Sequence, residues 1–298
     1  MSYCINPDCP QPKNPTHADV CYRCGSKLLL GDRYRVLNVL GQGRFAVTFL
    51  AQDQSKPNEP RCAIKQLRPA TTESHIIEMA RELFEREAET LRKIGDHPQV
   101  PQLLDYFQDN QQFYIVQEYI KGWTLQQEIK QFGPLSQAGV KRFLSEILPL
   151  LEFIHNQQLI HRDIKPANLM RDEQDRKLIL IDFGAVKNCQ DDFDNSLELT
   201  TWTENSIGTQ GFAPPEQLAM RPVYASDIYA VGVTCIYLLT GKSPKNLAYN
   251  RSTCEMLWQK YVHVSDNFAK VLNKMLESAV RYRYQSAREV LRALDPES

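Results

Sequence analysis

Short β-prone runs come first along this chain, and long helical stripes come later. Tyr34 to Leu40, Val47 to Ala51 and Arg61 to Leu67 predict three strands, separated by Gly41-Gln42-Gly43 and by the turn-rich stretch from Asp53 to Pro60. Ser74 to Ile94 then reads as one long helix. At 100° per residue Ala80, Leu83, Phe84, Glu87, Leu91 and Ile94 share a stripe, while Glu82, Glu85 and Glu89 point elsewhere. Two further strand-like runs follow, Leu103 to Phe107 and Phe113 to Tyr119. Beyond Thr124 helix dominates. Val140, Phe143, Leu144, Ile147, Leu151 and Ile154 keep helical spacing across Pro149, which should bend the pattern, and Ala225 to Thr240 predicts an apolar helix stopped by Gly241 and Pro244. No internal repeat or low-complexity tract is visible. The pattern predicts an α+β chain: a small β-rich lobe with one long helix, residues 33–119, then a larger, mainly helical lobe, residues 120–294.

Residues 1–30 break this texture and predict a separate segment. They are rich in Pro, Asn and Cys, and Pro7, Pro10, Pro12 and Pro15 bar a regular helix. So few large aliphatics cannot hold a fold by burial, so a cross-link or a metal must. The segment carries Cys4-x4-Cys9-x11-Cys21-x2-Cys24, followed by Gly25. Cys21 to Gly25 is similar to a zinc-ribbon knuckle, whose backbone N–H groups can bond the thiolates, and the wider first pair is within reach of a tetrahedral four-cysteine zinc site. His17 could substitute as a ligand. A pair of disulfides or free thiols are the other readings, and a reducing compartment favours zinc over the disulfides. The remaining cysteines, Cys62, Cys189, Cys235 and Cys254, are scattered singly and read as small apolar filler.

Composition narrows the classes. Of 298 residues, 42% are hydrophobic and 24% charged, near soluble globular averages, and a net charge of -1 argues against non-specific binding to nucleic acid or anionic membrane. The most apolar stretch, Ala230 to Leu239, is far shorter than the ~20 residues that span a bilayer. The first residues lack the basic start and apolar core of a signal peptide. The expectation is a soluble, cytoplasmic protein with no nucleic-acid partner and no membrane span in this chain.

Three groups of residues carry chemistry. Leu40-Gly41-Gln42-Gly43-Arg44-Phe45-Ala46-Val47-Thr48 sits between two predicted strands, not between strand and helix, which disfavours a dinucleotide fold; its glycines let backbone approach phosphates. Cys62-Ala63-Ile64-Lys65 places a lysine in an apolar strand where it needs an anion, and Glu87 on the buried helix stripe is its natural partner. A surface salt bridge, worth little, is the bland reading, and the two apolar faces disfavour it. His161-Arg162-Asp163-Ile164-Lys165-Pro166-Ala167-Asn168, followed by Asp182-Phe183-Gly184, combines a carboxylate for an incoming hydroxyl, hard oxygen ligands for magnesium and a cation for a γ-phosphate.

From Tyr34 to Leu294 the chain resembles the protein-kinase family, in its eukaryotic-type (Hanks-type) serine/threonine branch. The resemblance implies a two-lobed kinase fold that transfers the γ-phosphoryl of ATP to Ser or Thr hydroxyls of protein substrates. Gly41, Gly43, Ala46 and Thr48 would cover the nucleotide, and Lys65, braced by Glu87, would hold its α- and β-phosphates. Asp163 would be the catalytic base and Lys165 would steady the γ-phosphate, while Asn168 and Asp182 would hold magnesium (or manganese). The backbone of Glu118 and Ile120 would bond adenine, with Gln117 as gatekeeper. Glu216 would pair with Arg283, and Asp227 with Gly232 would anchor the central helix of the large lobe. The lysine two residues after Asp163 is the serine/threonine form of the loop.

Three positions depart from the family pattern: Ala46 replaces the third loop glycine, Thr48 replaces valine, and Pro214 replaces alanine in Gly208 to Glu216. The methyl at position 46 stiffens the loop but removes no donor. Arg162, beside the base, implies activation by a phosphate in the segment Asp182 to Glu216. Thr201 and Thr203 match the autophosphorylated threonines of bacterial kinases, and Thr209 is the threonine expected to bond Asp163 and Lys165. A solvated polar loop is the plain alternative for the threonine run. The four-cysteine start, fused to a kinase, resembles a group of cyanobacterial serine/threonine kinases. Whether it is structural, redox-sensing or binds a protein partner stays open, as does whether the chain continues beyond Ser298. The competing functional readings are a kinase-fold regulatory scaffold with weak turnover and, disfavoured by Gly208 to Glu216, a small-molecule kinase.

Overall fold

Short apolar runs, buried several residues at a time, build the sheet on which the first half of the chain rests. The computed structural model describes residues 1–43, 45–69, 71, 73–109, 111–188, 211–250, 252, 253 and 255–294. The chain divides into two units, Met1–Asp96 with Pro101–Ile120, and His97–Val100 with the chain from Lys121 onward. In the first, β1 (Ser2–Tyr3) and β2 (Lys13–Asn14) pair with each other. The other strands are β3 (Leu29–Leu30), β4 (Tyr34–Gln42), β5 (Ala46–Asp53), β6 (Arg61–Leu67), β7 (Leu103–Asp109) and β8 (Gln112–Glu118). They form one antiparallel sheet in the order β3-β4-β5-β6-β8-β7. Helix α1 (Ser74–Ile94) buries Ala80, Leu83, Phe84, Glu87, Leu91 and Ile94, the stripe that its periodicity predicts. Strand β6 also keeps its predicted bounds; β4, β5 and β7 gain two or three residues at their ends because ladder bonds continue past the apolar run, and β8 starts and ends one residue earlier than predicted.

The cysteine segment does not stand alone. It has a small core of its own, Cys4, Ala18, Cys21 and Leu28, and its large side chains Tyr3 and Ile5 pack on the sheet cluster that includes Tyr34, Val36, Phe49 and Ile64. Two arginines of the sheet region hydrogen-bond to it. Arg35, 7% exposed, donates to Ser2 Oγ at 2.9 Å and to the Ala18 carbonyl at 2.8 Å. Arg68 donates to the Ile5 carbonyl and lies 5.4 Å from the Phe49 ring centre. Charged donors on carbonyls are among the stronger hydrogen bonds, so this segment is held by the sheet as well as by its cysteines.

The second unit comprises β9 (Gly122–Thr124), α2 (Leu125–Phe132), α3 (Gln137–Asn156), β10 (Leu159–Ile160), β11 (Leu169–Asp172), β12 (Leu178–Leu180), β13 (Lys187–Asn188), α4 (Tyr224–Thr240), α5 (Asp266–Met275) and α6 (Ala287–Leu294). Strands β12-β11-β9 form a small sheet and β10 pairs with β13. Helix α2 starts in a capping box, with Thr124 and Gln127 satisfying each other's backbone N–H groups. Helix α3 runs on through Pro149. Helix α4 is buried on nearly all sides; a Cβ at Gly232 would lie 3.1 Å from Met275 Cβ, so glycine permits the close approach of the α5 end. Gly241, at φ +66°, ends α4 in the left-handed conformation. Among the described residues no helix is long and apolar enough to cross a membrane.

Asp227, wholly buried on α4, ties three segments together. Its Oδ2 accepts from the His161 N–H at 2.8 Å and contacts His155 Nε2 of α3 at 2.9 Å, and its Oδ1 accepts from the Arg162 N–H at 2.8 Å. Burial opposes ionisation of this carboxyl. The His155 hydrogen bond and the charges of His155 and His161 outweigh it and hold the group below the usual carboxylate range.

Two outcomes follow from these contacts. Arg35→Ala removes both bonds to the cysteine segment, about 2–3 kcal/mol, so amide exchange across residues 1–30 accelerates while that of α3 stays as in the wild type. Asp227→Asn lowers stability by about 3 kcal/mol at neutral pH. Because the folded pKa is depressed, the Asp227 contribution is present above the unfolded value of ~3.9 and is lost as pH falls through the folded value. Denaturant titrations from pH 7 to pH 3 should therefore show the deficit of Asp227→Asn narrowing only below about pH 4.

Candidate active site

In the first unit, strand register sets the row. Gly41 pairs with Thr48, and Thr48 pairs with Lys65, so these three positions on β4, β5 and β6 face the same way. Gly43 closes the turn by donating its N–H to the Ala46 carbonyl at 2.8 Å. Ala46 begins β5, buried and paired with Leu67. It is not among the positive-φ residues, so its methyl is carried without backbone strain. Lys65 Nζ donates to both oxygens of Glu87, at 2.8 and 2.6 Å, with Lys65 19% and Glu87 4% exposed. A pair this sheltered is far less screened than a surface ion pair. Glu118 ends β8 and gives its N–H to the Gln102 carbonyl at 2.9 Å; Ile120 lies two residues beyond.

In the second unit, the loop between β10 and β11 gathers the charged groups. Lys165 Nζ donates to both Asp163 oxygens, at 3.0 and 2.8 Å. Asn168 Nδ2 donates to Asp163 Oδ2 at 2.8 Å and to the Asp163 carbonyl at 2.9 Å. Asp182, two residues past the end of β12, accepts the Gly184 N–H on Oδ1 at 3.2 Å, and the Ile181 N–H donates to the Asn168 carbonyl at 3.0 Å. Phe183 is buried edge-on against His161, ring centres 5.1 Å apart. Burial pushes the Asp163 carboxyl above its usual range; the Lys165 ammonium pulls it back and the Asp182 charge adds to the rise. Burial likewise holds the His161 imidazole below its usual range, against the pull of Asp227, Asp163 and Asp182.

Arg162 has φ +67°, a left-handed conformation that for a residue with a Cβ costs roughly 1–2 kcal/mol. Its Nε donates to the Ala185 carbonyl, and its own carbonyl accepts from Gln217 Nε2 at 2.6 Å. Gln217 was invisible to motif reading, since 55 residues separate the partners. Thr201, Thr203 and Thr209 lie outside the described residues. Glu216 meets Arg283 at 2.7 Å, with the Arg283 side chain wholly buried.

The four cysteine sulfurs Cys4, Cys9, Cys21 and Cys24 converge to within 4.8 Å of one another. Cys4 and Cys24 Sγ are 3.6 Å apart, as are Cys9 and Cys21 Sγ, and all four are free thiols. Four thiolates ~2.3 Å from one zinc would lie about 3.8 Å apart, so the cluster fits a tetrahedral ion. His17 is not part of it. Burial works against the Cys21 thiolate, yet the backbone N–H groups of Cys24 and Arg23 and the Asn14 amide bring its pKa down to about 6.

These geometries have counterparts in known proteins. The protein kinase domain family matches residues 34–293. Serine/threonine-protein kinase B of Synechocystis sp. is 58% identical over 297 residues, 99% of this chain and 52% of that protein. PknA of Nostoc sp., a serine/threonine-protein kinase, is 44% identical over 268 residues, 89% of this chain and 47% of that one. The chain thus spans about half the length of these curated relatives. The crystal structure of the Mycobacterium tuberculosis PknI kinase domain superposes with a TM-score of 0.66 at 24% identity, covering 89% of this chain and 96% of that one, which is a likeness of fold. The chain belongs to the protein kinase family, alongside the cyanobacterial serine/threonine kinases that it resembles.

Proposed function

We propose that this chain is the catalytic part of a serine/threonine protein kinase, passing the γ-phosphoryl of ATP to protein hydroxyls. The observation that carries the reading is the Asp163 carboxylate, gripped by Lys165 and Asn168 on one short loop. Asp163 accepts the proton of the incoming hydroxyl, and its raised pKa makes it a better acceptor. Lys165 already spans both Asp163 oxygens, so its ammonium can turn to the charge that builds on the transferring group. Asp182 and Asn168 offer the hard oxygens that suit magnesium or manganese; the ion, when held there, neutralises phosphate charge. Lys65, aimed by Glu87, holds the α- and β-phosphates, and Gly41, Gly43, Ala46 and Thr48 cover them. Glu118 and Ile120 present backbone to adenine. Arg162 would answer a phosphate on Thr201 or Thr203, and Thr209 would join Asp163 and Lys165. Cys4, Cys9, Cys21 and Cys24 hold a structural zinc.

Wild-type protein incubated with Mg-ATP should carry phosphate on Thr201 or Thr203 by mass spectrometry, and Asp163→Ala should lose at least ~100-fold in rate while still binding ATP. Measurable ATP binding by the wild type with no phosphate on itself or on a generic protein substrate would replace this reading with the regulatory scaffold. Elemental analysis should find one zinc per chain, and Cys21→Ser should lose it and unfold residues 1–30. Full-length protein with native exchange in that segment and no bound metal would remove the zinc assignment.

A further inference from the structure

The groups that grip the Asp163 carboxylate, Lys165 and Asn168, belong to its own loop and move with it, as does His161, whose Nδ1 accepts the Asp163 N–H at 3.3 Å. Anchors from outside the loop must therefore set where the loop sits. One is Asp227, which takes the His161 and Arg162 N–H groups. On the opposite side of the same residue the Arg162 carbonyl accepts from Gln217 Nε2 at 2.6 Å. That carbonyl belongs to the peptide leading directly into Asp163, and Arg162 is in a left-handed conformation, which persists only where its surroundings over-determine it.

Gln217 is delivered from a firm platform. It stands on the helical turn Pro215–Leu218, next to Glu216. Glu216 accepts from Arg283 at 2.7 and 3.3 Å and from Ser226 Oγ at 2.7 Å. Arg283, its side chain wholly buried, is fixed in turn by the Ala225 and Glu277 carbonyls at 2.8 and 3.0 Å. The Gln217 amide is thus aimed at the Arg162 carbonyl by a network that touches neither Asp163 nor its ligands.

We propose that Gln217 is a positioning residue for phosphoryl transfer: with Asp227 it holds the Arg162–Asp163 peptide from the far side and so fixes the direction of the Asp163 carboxylate. The proposal rests on the reading of Asp163 as the base. A displacement of about 1 Å at a reacting group can cost up to ~100-fold in rate, and loss of one of the outside anchors should cost part of that.

Gln217→Met keeps the reach of the side chain and removes the donor, whereas Gln217→Lys keeps a donor of similar reach. Gln217→Met should lower kcat about ten-fold with the KM for ATP within about two-fold of wild type, and should speed amide exchange over residues 160–164 while α4 and α5 keep their protection. Gln217→Lys should recover most of the rate. A Gln217→Met protein with wild-type kcat, a KM for ATP that rises in step with the loss, or exchange that quickens throughout α4 and α5 overturns the proposal. Exchange is read without turnover. A wild-type protein that transfers no phosphate therefore overturns the kinase reading, while the exchange of residues 160–164 still decides whether Gln217 holds that peptide.

Discussion

A carboxylate with no access to water has to find its partners inside the protein, and Asp227 finds them in the backbone of the loop that carries Asp163. Removing its charge from water would be prohibitive without those partners, so the N–H groups of His161 and Arg162 and the ring of His155 are drawn to one point on α4. This constraint holds Arg162 in the left-handed region and brings α3 and α4 to a common point. The Lys165 and Asn168 contacts to Asp163 are local consequences, since residues two and five positions on can reach back once the loop is turned.

The first unit depends on a different balance. Lys65 in an apolar strand and Glu87 on the buried face of α1 each make the other's burial tolerable. The sheet's other duty is to carry the cysteine segment. Tyr3 and Ile5 surrender their apolar surface to it, and Arg35 and Arg68 bond carbonyls of the cysteine segment. A segment too poor in aliphatics to fold alone thereby gains a second support besides its converging cysteines.

Much of this was legible beforehand, and the reasons are specific. The apolar run of β6 and the 3.6-residue stripe of α1 put Lys65 and Glu87 among apolar neighbours independently, and their contact is the shared solution. Four cysteines in 24 residues without a helix-compatible core left few ways to fold except convergence. The docking of Tyr3, Ile5 and Arg35 was not legible, because an arginine at the start of a strand reads as a solvated edge until something covers it. Pro149 was expected to bend the helical pattern, and α3 carries it inside one helix.

The amino-acid sequence by itself determined the larger strands of the first unit, the long helices α1, α3 and α4, the charged residue types gathered around Asp163, and the cysteine set, since each depends on spacing within a few turns or on the chemistry of single side chains. Only the tertiary structure decided which distant groups meet: Gln217 with the Arg162 carbonyl, Asp227 with His155, and Arg35 with Ser2 and Ala18. Those contacts join positions separated by many residues, where no local period links the partners. They exist because buried donors and acceptors must be paired by whatever the fold brings within reach.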